Sequence, residues 1–149
     1  MKTIRKAELK WARVPMAAEE PEVYGNRVAN ARDVHRLAEA LIAGEVQELF
    51  LAFFLNVKNK VIGYQEVARG ALNACAVAPA DVFRGAIMAG AVSIIIAHNH
   101  PSGEPTPSEE DRRLTARIKK AGELLGVRVL DHVVVADEGY FSFCDAGIL

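Results

Sequence analysis

Val92-Ser93-Ile94-Ile95-Ile96-Ala97 runs straight into His98-Asn99-His100-Pro101-Ser102-Gly103, and this junction decides how the chain is read. The first six residues are mostly apolar and rich in β-branched side chains, the pattern of a strand buried on both faces. In extended backbone, residues two apart share a face. His98 and His100 therefore project together while Asn99 points away. Pro101 stops the strand, the Pro/Gly/Ser-rich stretch to Pro107 is a loop, and a helix opens at Ser108. Asp111, one turn into that helix, can fold its carboxylate back toward the strand end.

Two imidazoles and one carboxylate make three protein ligands and leave one coordination position open. That is the count of a catalytic zinc site, not of a closed structural one. Zinc held this way lowers the pKa of bound water to about 7. Each part also has an ordinary reading alone. Ser108-Glu109-Glu110-Asp111 is a helix N-terminus with a serine cap and acidic residues complementing the dipole, and a lone His-x-His pair is a weak metal signal. A buried strand, His-x-His, seven residues, Ser, two residues and Asp in series is far more specific. An HNH nuclease would spread its residues over a ββα unit, whereas these letters are contiguous at one strand end.

The spacing His98-x-His100, seven residues, Ser108-x-x-Asp111 resembles the JAMM metalloprotease signature of the JAB/MPN superfamily. The surrounding His-Asn-His-Pro-Ser-Gly, the later Pro105-Thr106-Pro107-Ser108 and the pair Asp131-His132 resemble its RadC branch, over roughly residues 30 to 144. The resemblance implies an α/β, single-domain MPN (cytidine-deaminase-like) fold, a mixed β-sheet flanked by helices. It implies a zinc site of His98, His100, Asp111 and water, and hydrolysis of peptide or ubiquitin-like isopeptide bonds. It also implies an upstream glutamate acting on the water. Glu48 opens a run to Leu55 that is apolar on both faces and hence a central strand, and it matches the family position best, with Glu45 and Glu66 as alternatives. Ser108 would donate a hydrogen bond to the developing oxyanion. Asn99 replaces the serine or threonine common in eukaryotic members and is typical of the RadC branch.

Asp131 and His132 interrupt the apolar run Val127 to Val135. They read equally as a locally satisfied pair at a strand edge or as a pair that holds a ligand histidine in its tautomer. Two departures from the family stand out. RadC proteins commonly carry an N-terminal helix-hairpin-helix region, for which the stretch before residue 30 is too short, and Pro79-Ala80-Asp81 stands where Pro-Arg-Glu is usual. The alternative reading, by family association, is a non-catalytic module in DNA repair or other DNA transactions.

The chain has 149 residues, 51% hydrophobic and 25% charged, enough for one globular domain with a sizeable core. Residues 1–29 read as an N-terminal extension and 30–149 as the domain. A formal net charge of −1 provides no global attraction for nucleic acid. Arg112, Arg113, Arg117, Lys119 and Lys120 on the motif helix form the one basic cluster to test, with Glu109 and Glu110 spaced to pair with its arginines. Cys75 and Cys144 fit neither a disulfide scaffold nor metal spacing, and read as buried or free thiols. The N-terminus lacks a signal-peptide core and no run reaches membrane-spanning length, so a cytoplasmic location with no membrane partner is expected. His35 is expected to be solvated.

Residues 3 to 14 alternate loosely, as an edge strand would, and Ala17 to Pro21 is a connector. Val34, Leu37, Ala38, Leu41 and Ile42 share a helical face, capped by Asn30 or Asp33. Residues 48 to 56 and 60 to 68 form a hairpin about Val57-Lys58-Asn59. Val82, Phe83, Ala86 and Ile87 give a buried stripe ending at Gly90. Leu114, Ile118, Ala121 and Leu125 point inward from the motif helix, which Gly126 ends, and Val133 to Phe143 is a closing hairpin turning at Asp137-Glu138-Gly139.

Overall fold

The computed structural model describes residues 23–42, 44–70 and 77–149. Its elements follow as α1 (Ala31–Ile42), β1 (Leu49–Leu55), β2 (Val61–Arg69), α2 (Pro79–Ala89), β3 (Ser93–Asn99), α3 (Glu109–Leu125), β4 (Arg128–Ala136) and β5 (Gly139–Ser142). The strands form one mixed sheet in the order β2-β1-β3-β4-β5. Among the described strands only β3 and β4 pair in parallel. A parallel pair needs a long crossover, and α3 supplies it, which brings the N-terminus of α3 back beside the end of β3.

Side-chain alternation along each strand sorts the core into two chambers. Leu49, Leu51, Phe53 and Leu55 of β1, Ile95 and Ala97 of β3, and Val133 and Val135 of β4 pack with Val34, Leu37 and Ala38 of α1. Phe50, Ala52 and Phe54, with Ile94 and Ile96, pack on the other face with Val82, Phe83 and Ala86 of α2 and Leu114 and Ile118 of α3. By the same alternation His98 falls on the α2/α3 side, where its ring stacks on Phe50 with centroids 6.1 Å apart. β1 is buried along its whole length, as expected of a central strand.

The C-terminal ends of α2 and α3 use one device. Gly90 and Gly126 adopt the left-handed conformation, with φ 66° and 73°, and the next residue donates back into the helix: Ala91 N–H to Ala86 O and Val127 N–H to Gly122 O, each 3.0 Å. This is the Schellman arrangement, whose following residue packs inward. Ala91 and Val127 take core positions, while Ile87 is 53% and Leu125 49% exposed, contrary to the helical stripes read from the sequence. Gly122 is needed for contact, since a Cβ there would lie 2.5 Å from Val127 O and 3.2 Å from the Phe83 ring.

Asn30 caps α1 by accepting from Asp33 N–H at 3.1 Å, while the Asp33 carboxylate accepts from Ala29 N–H at 2.9 Å. In the β1–β2 turn, Asn56 accepts from Lys58 and Lys60 N–H, and Asn59 takes the left-handed conformation with φ 56°. Val23 and Val28 are buried against α1, so the core reaches upstream of Asn30. His35 is not simply solvated: it is half-buried and stacks on Tyr140 with centroids 4.7 Å apart. The edge strand expected at residues 3 to 14, the connector to Pro21, and Cys75 lie outside the described residues. Cys144 is exposed. Among the described residues no helix is long and apolar enough to cross a membrane.

Candidate metal centre

β3 delivers His98 at its end, buried to 1% exposure. Two residues on, past the strand end, His100 follows on the same side. The loop through Pro107 returns the chain to Ser108, which caps α3: its Oγ accepts from Asp111 N–H at 3.1 Å, and the Asp111 carboxylate accepts from Ser108 N–H at 2.8 Å. The reciprocal pair is a capping box, and it aims the Asp111 carboxylate at the strand end. The helix-cap reading and the ligand reading of these residues are therefore compatible.

His98 Nε2 and His100 Nε2 lie 3.0 Å apart. Asp111 Oδ2 is 3.2 Å from His100 Nε2, and Oδ1 is 3.4 Å from His98 Nε2. Among the described residues these three form the one group of histidine, cysteine and acidic side chains arranged to hold a metal ion. Tetrahedral coordination with bonds of about 2.0–2.1 Å sets neighbouring ligand atoms about 3.3 Å apart, and the three separations bracket that value. Bare imidazole nitrogens this close to each other and to a carboxylate repel unless a cation or proton lies among them. The donor set fits a metal ion.

The charges agree. The hydrogen bond to Asp111 raises the His100 pKa above its usual value against the opposing effect of burial, with smaller support from Glu104 and from the Glu48 charge. Burial alone would raise the Asp111 carboxyl, but the bonds to His100 and His98 hold it well below the usual carboxylate range. His100 Nδ1 faces the Glu104 carbonyl at 2.9 Å. That contact makes Nδ1 the protonated nitrogen of the neutral ring and leaves Nε2 bare.

Behind His98 lies His132, fully buried. His98 Nδ1 and His132 Nε2 are 2.7 Å apart, and His132 Nδ1 is 2.6 Å from Thr115 Oγ1. Burial, reinforced by the neighbouring His98, pushes the His132 pKa well below its usual value. Asp131 does not join this group. Adjacent strand residues face opposite ways, and the Asp131 carboxylate instead accepts from Ser142 Oγ at 2.6 Å, Cys144 N–H at 2.9 Å and His132 N–H at 2.7 Å. Burial raises its pKa against these bonds. The sequence pair is split between the two sides of the sheet.

Of the three glutamates, Glu45 and Glu66 both pair with Arg69, at 2.9 and 2.8 Å. Glu48 is half-buried at the entry to β1, and its charge acts on His100. Asn99, on the opposite face from the histidines, clamps this entry. Its Oδ1 accepts from Leu49 N–H at 2.6 Å and its Nδ2 donates to Gln47 O at 2.9 Å, so the peptide groups on both sides of Glu48 are held. A cleft of about 340 Å³ opens beside His100, lined by Ile42, Glu45, Asn99, Pro101, Val135 and Asp137 among others. The Asn99 clamp and Thr115 were not anticipated from sequence. Thr115 stands four residues after Asp111, a spacing that shares a helical face, while nothing local to Asn99 signals a bond fifty residues away.

Comparison with known proteins agrees with this geometry. The RadC-like JAB domain family model matches residues 28–148. A UPF0758 protein of Carboxydothermus hydrogenoformans is 45% identical over 113 residues, covering 76% of this chain and 50% of that protein. One from Symbiobacterium thermophilum is 45% identical over 122 residues, 82% of this chain and 52% of that protein. One from Methanosarcina mazei is 36% identical over 137 residues, 92% of this chain and 58% of that protein. The chain spans about half the length of the curated relatives it matches. With the fold and the His98, His100 and Asp111 cluster, these matches place the chain in the RadC-like JAB domain family.

Proposed function

We propose that this chain is a zinc-dependent hydrolase of peptide or isopeptide bonds. The observation that carries the reading is the convergence of His98 Nε2, His100 Nε2 and an Asp111 oxygen, with the remaining nitrogen of each imidazole already engaged by His132 or Glu104. Three ligands of this type suit zinc with a free coordination position. When bound, zinc supplies Lewis acidity that lets water ionise near neutral pH and polarises a carbonyl.

The chain's own residues account for the rest. Glu48, held at the mouth of β1 by the Asn99 clamp, takes a proton from the attacking water and returns it to the leaving amine. The Glu48 charge bears on His100, which favours it over Glu45 and Glu66 for this role. Ser108 Oγ accepts from Asp111 N–H, and a hydroxyl that accepts still has a proton to donate. That proton serves the carbonyl oxygen as negative charge develops.

The test joins elemental analysis of the dialysed protein with an unbiased peptide-library cleavage assay. Wild type should retain about one zinc per chain, and Glu48→Gln should keep the zinc while cleaving on the order of 10²-fold more slowly or worse. Wild type free of zinc, or His100→Ala that keeps it, would overturn the reading.

A further inference from the structure

We infer that Thr115 is a positioning residue for the metal centre, setting the tautomer of His98 through His132. The inference rests on the reading of His98, His100 and Asp111 as metal ligands, and it extends that reading to residues that touch no metal. Thr115 sits inside α3, one turn after Asp111, and its Oγ1 lies 2.6 Å from Asp111 O. A helical threonine commonly donates its hydroxyl to the carbonyl four residues back. With its proton committed there, Oγ1 can only accept from its second neighbour, His132 Nδ1, at 2.6 Å.

The rest follows from counting protons. A neutral imidazole carries one N–H and one bare nitrogen. His132, fully buried, then holds its proton on Nδ1 and presents a bare Nε2 to His98 Nδ1 at 2.7 Å. His98 must protonate Nδ1 to make that contact, which leaves His98 Nε2 bare toward His100 and Asp111. The opposite setting is equally self-consistent. If Thr115 donated to His132 Nδ1, both rings would reverse and His98 Nε2 would carry a hydrogen pointing into the site, where it would exclude a metal.

The hydroxyl rotor of Thr115 therefore chooses between a metal-competent and a metal-blocked state, and its bond to Asp111 O selects the first. Metal-ligating histidines usually place their second N–H on a carboxylate, a carbonyl or water. Here the acceptor is another imidazole, which has no fixed preference of its own. A threonine is needed to supply one. The relay also closes on itself, since it begins at the main chain of one ligand, Asp111, and ends at the ring of another, His98.

The test reads the rings directly. Histidine-15N-labelled, metal-free wild type, held near pH 8 where ordinary histidines are neutral, is examined by long-range 1H–15N correlation. His98 and His132 should both carry their proton on Nδ1. Thr115→Val removes the hydroxyl with little change of shape; it should move proton density to Nε2 of both rings and weaken zinc binding roughly 10- to 100-fold. Thr115→Ser should restore both readouts. A merely structural threonine would leave the tautomers unchanged. Wild type with the proton on His98 Nε2, or Thr115→Val with unaltered tautomers and zinc affinity, overturns the inference. If Thr115→Val fails to fold, the wild-type tautomers decide alone. A protein that passes yet cleaves no peptide refutes the hydrolase proposal and leaves the relay standing.

Discussion

Asn99→Ala removes both clamps on the entry to β1 and should cost stability without costing metal. Leu49 is 3% exposed and Asn99 7% exposed, so water does not readily replace the bond lost at Leu49 N–H. Gln47 is exposed, and its carbonyl recovers a water partner. A buried donor left unpaired costs about 1–3 kcal/mol, and the space vacated by the amide adds to it, giving a loss of about 2–3 kcal/mol. For a chain of this length each kcal/mol lowers Tm by roughly 2–4 °C, so melting by circular dichroism should fall by roughly 4–12 °C. Amide exchange at Leu49 should accelerate more than elsewhere in β1. Zinc content should be unchanged, because Asn99 faces away from His98 and His100, and under the role proposed for Glu48 turnover should drop as that side chain loses its support. Asn99→Asp keeps an acceptor for Leu49 but sets a carboxylate against Gln47 O, and should be destabilised as well. An Asn99→Ala protein that melts within about 1 °C of wild type, with Leu49 equally protected, would refute the reasoning.

Two further predictions probe the scaffold. Gly-to-Ala inside a helix ordinarily adds up to about 1 kcal/mol of stability, yet Gly122→Ala should lower stability because its Cβ meets the Val127 carbonyl; a raised denaturation midpoint in urea would show that contact to be unimportant. Burial raises the Asp131 pKa in the fold, so the folded chain binds this proton more readily than the unfolded chain does. Wild type should therefore gain stability relative to Asp131→Asn as pH falls through the raised folded value toward about 4, and a difference that stays flat or moves the other way across that window in paired unfolding curves would count against it.

Much of the site was legible because its signals are local. A buried strand, a two-residue histidine repeat, a proline stop and a capped helix each follow from neighbours in sequence, and together they mark His98, His100 and Asp111 as one cluster. β1 showed itself as central because all seven residues are apolar. What escaped depends on tertiary partners. Glu45 pairs with Arg69 twenty-four residues away, and Asn99 clamps a segment fifty residues away. Helical periodicity puts Ile87 and Leu125 inward, whereas Ala91 and Val127, just past the helix-ending glycines, take core positions. Asp131 and His132 divide their side chains between the two faces of the sheet, and which partners each meets is set by segments distant in sequence.

That split has a bearing on how β4 finds its place. Val133-Val134-Val135 presents the same side chain to both faces of the sheet, so hydrophobic patterning over these three residues does not tell the native register from one shifted by a single residue, although such a shift turns every side chain over. Asp131 and His132 remove the ambiguity. A slip would thrust the carboxylate among the histidines and strand the imidazole near Ser142 and Cys144, leaving each amid groups that cannot satisfy it. By the contacts each makes on its own face, the two residues favour the native alignment of β4 over a one-residue slip.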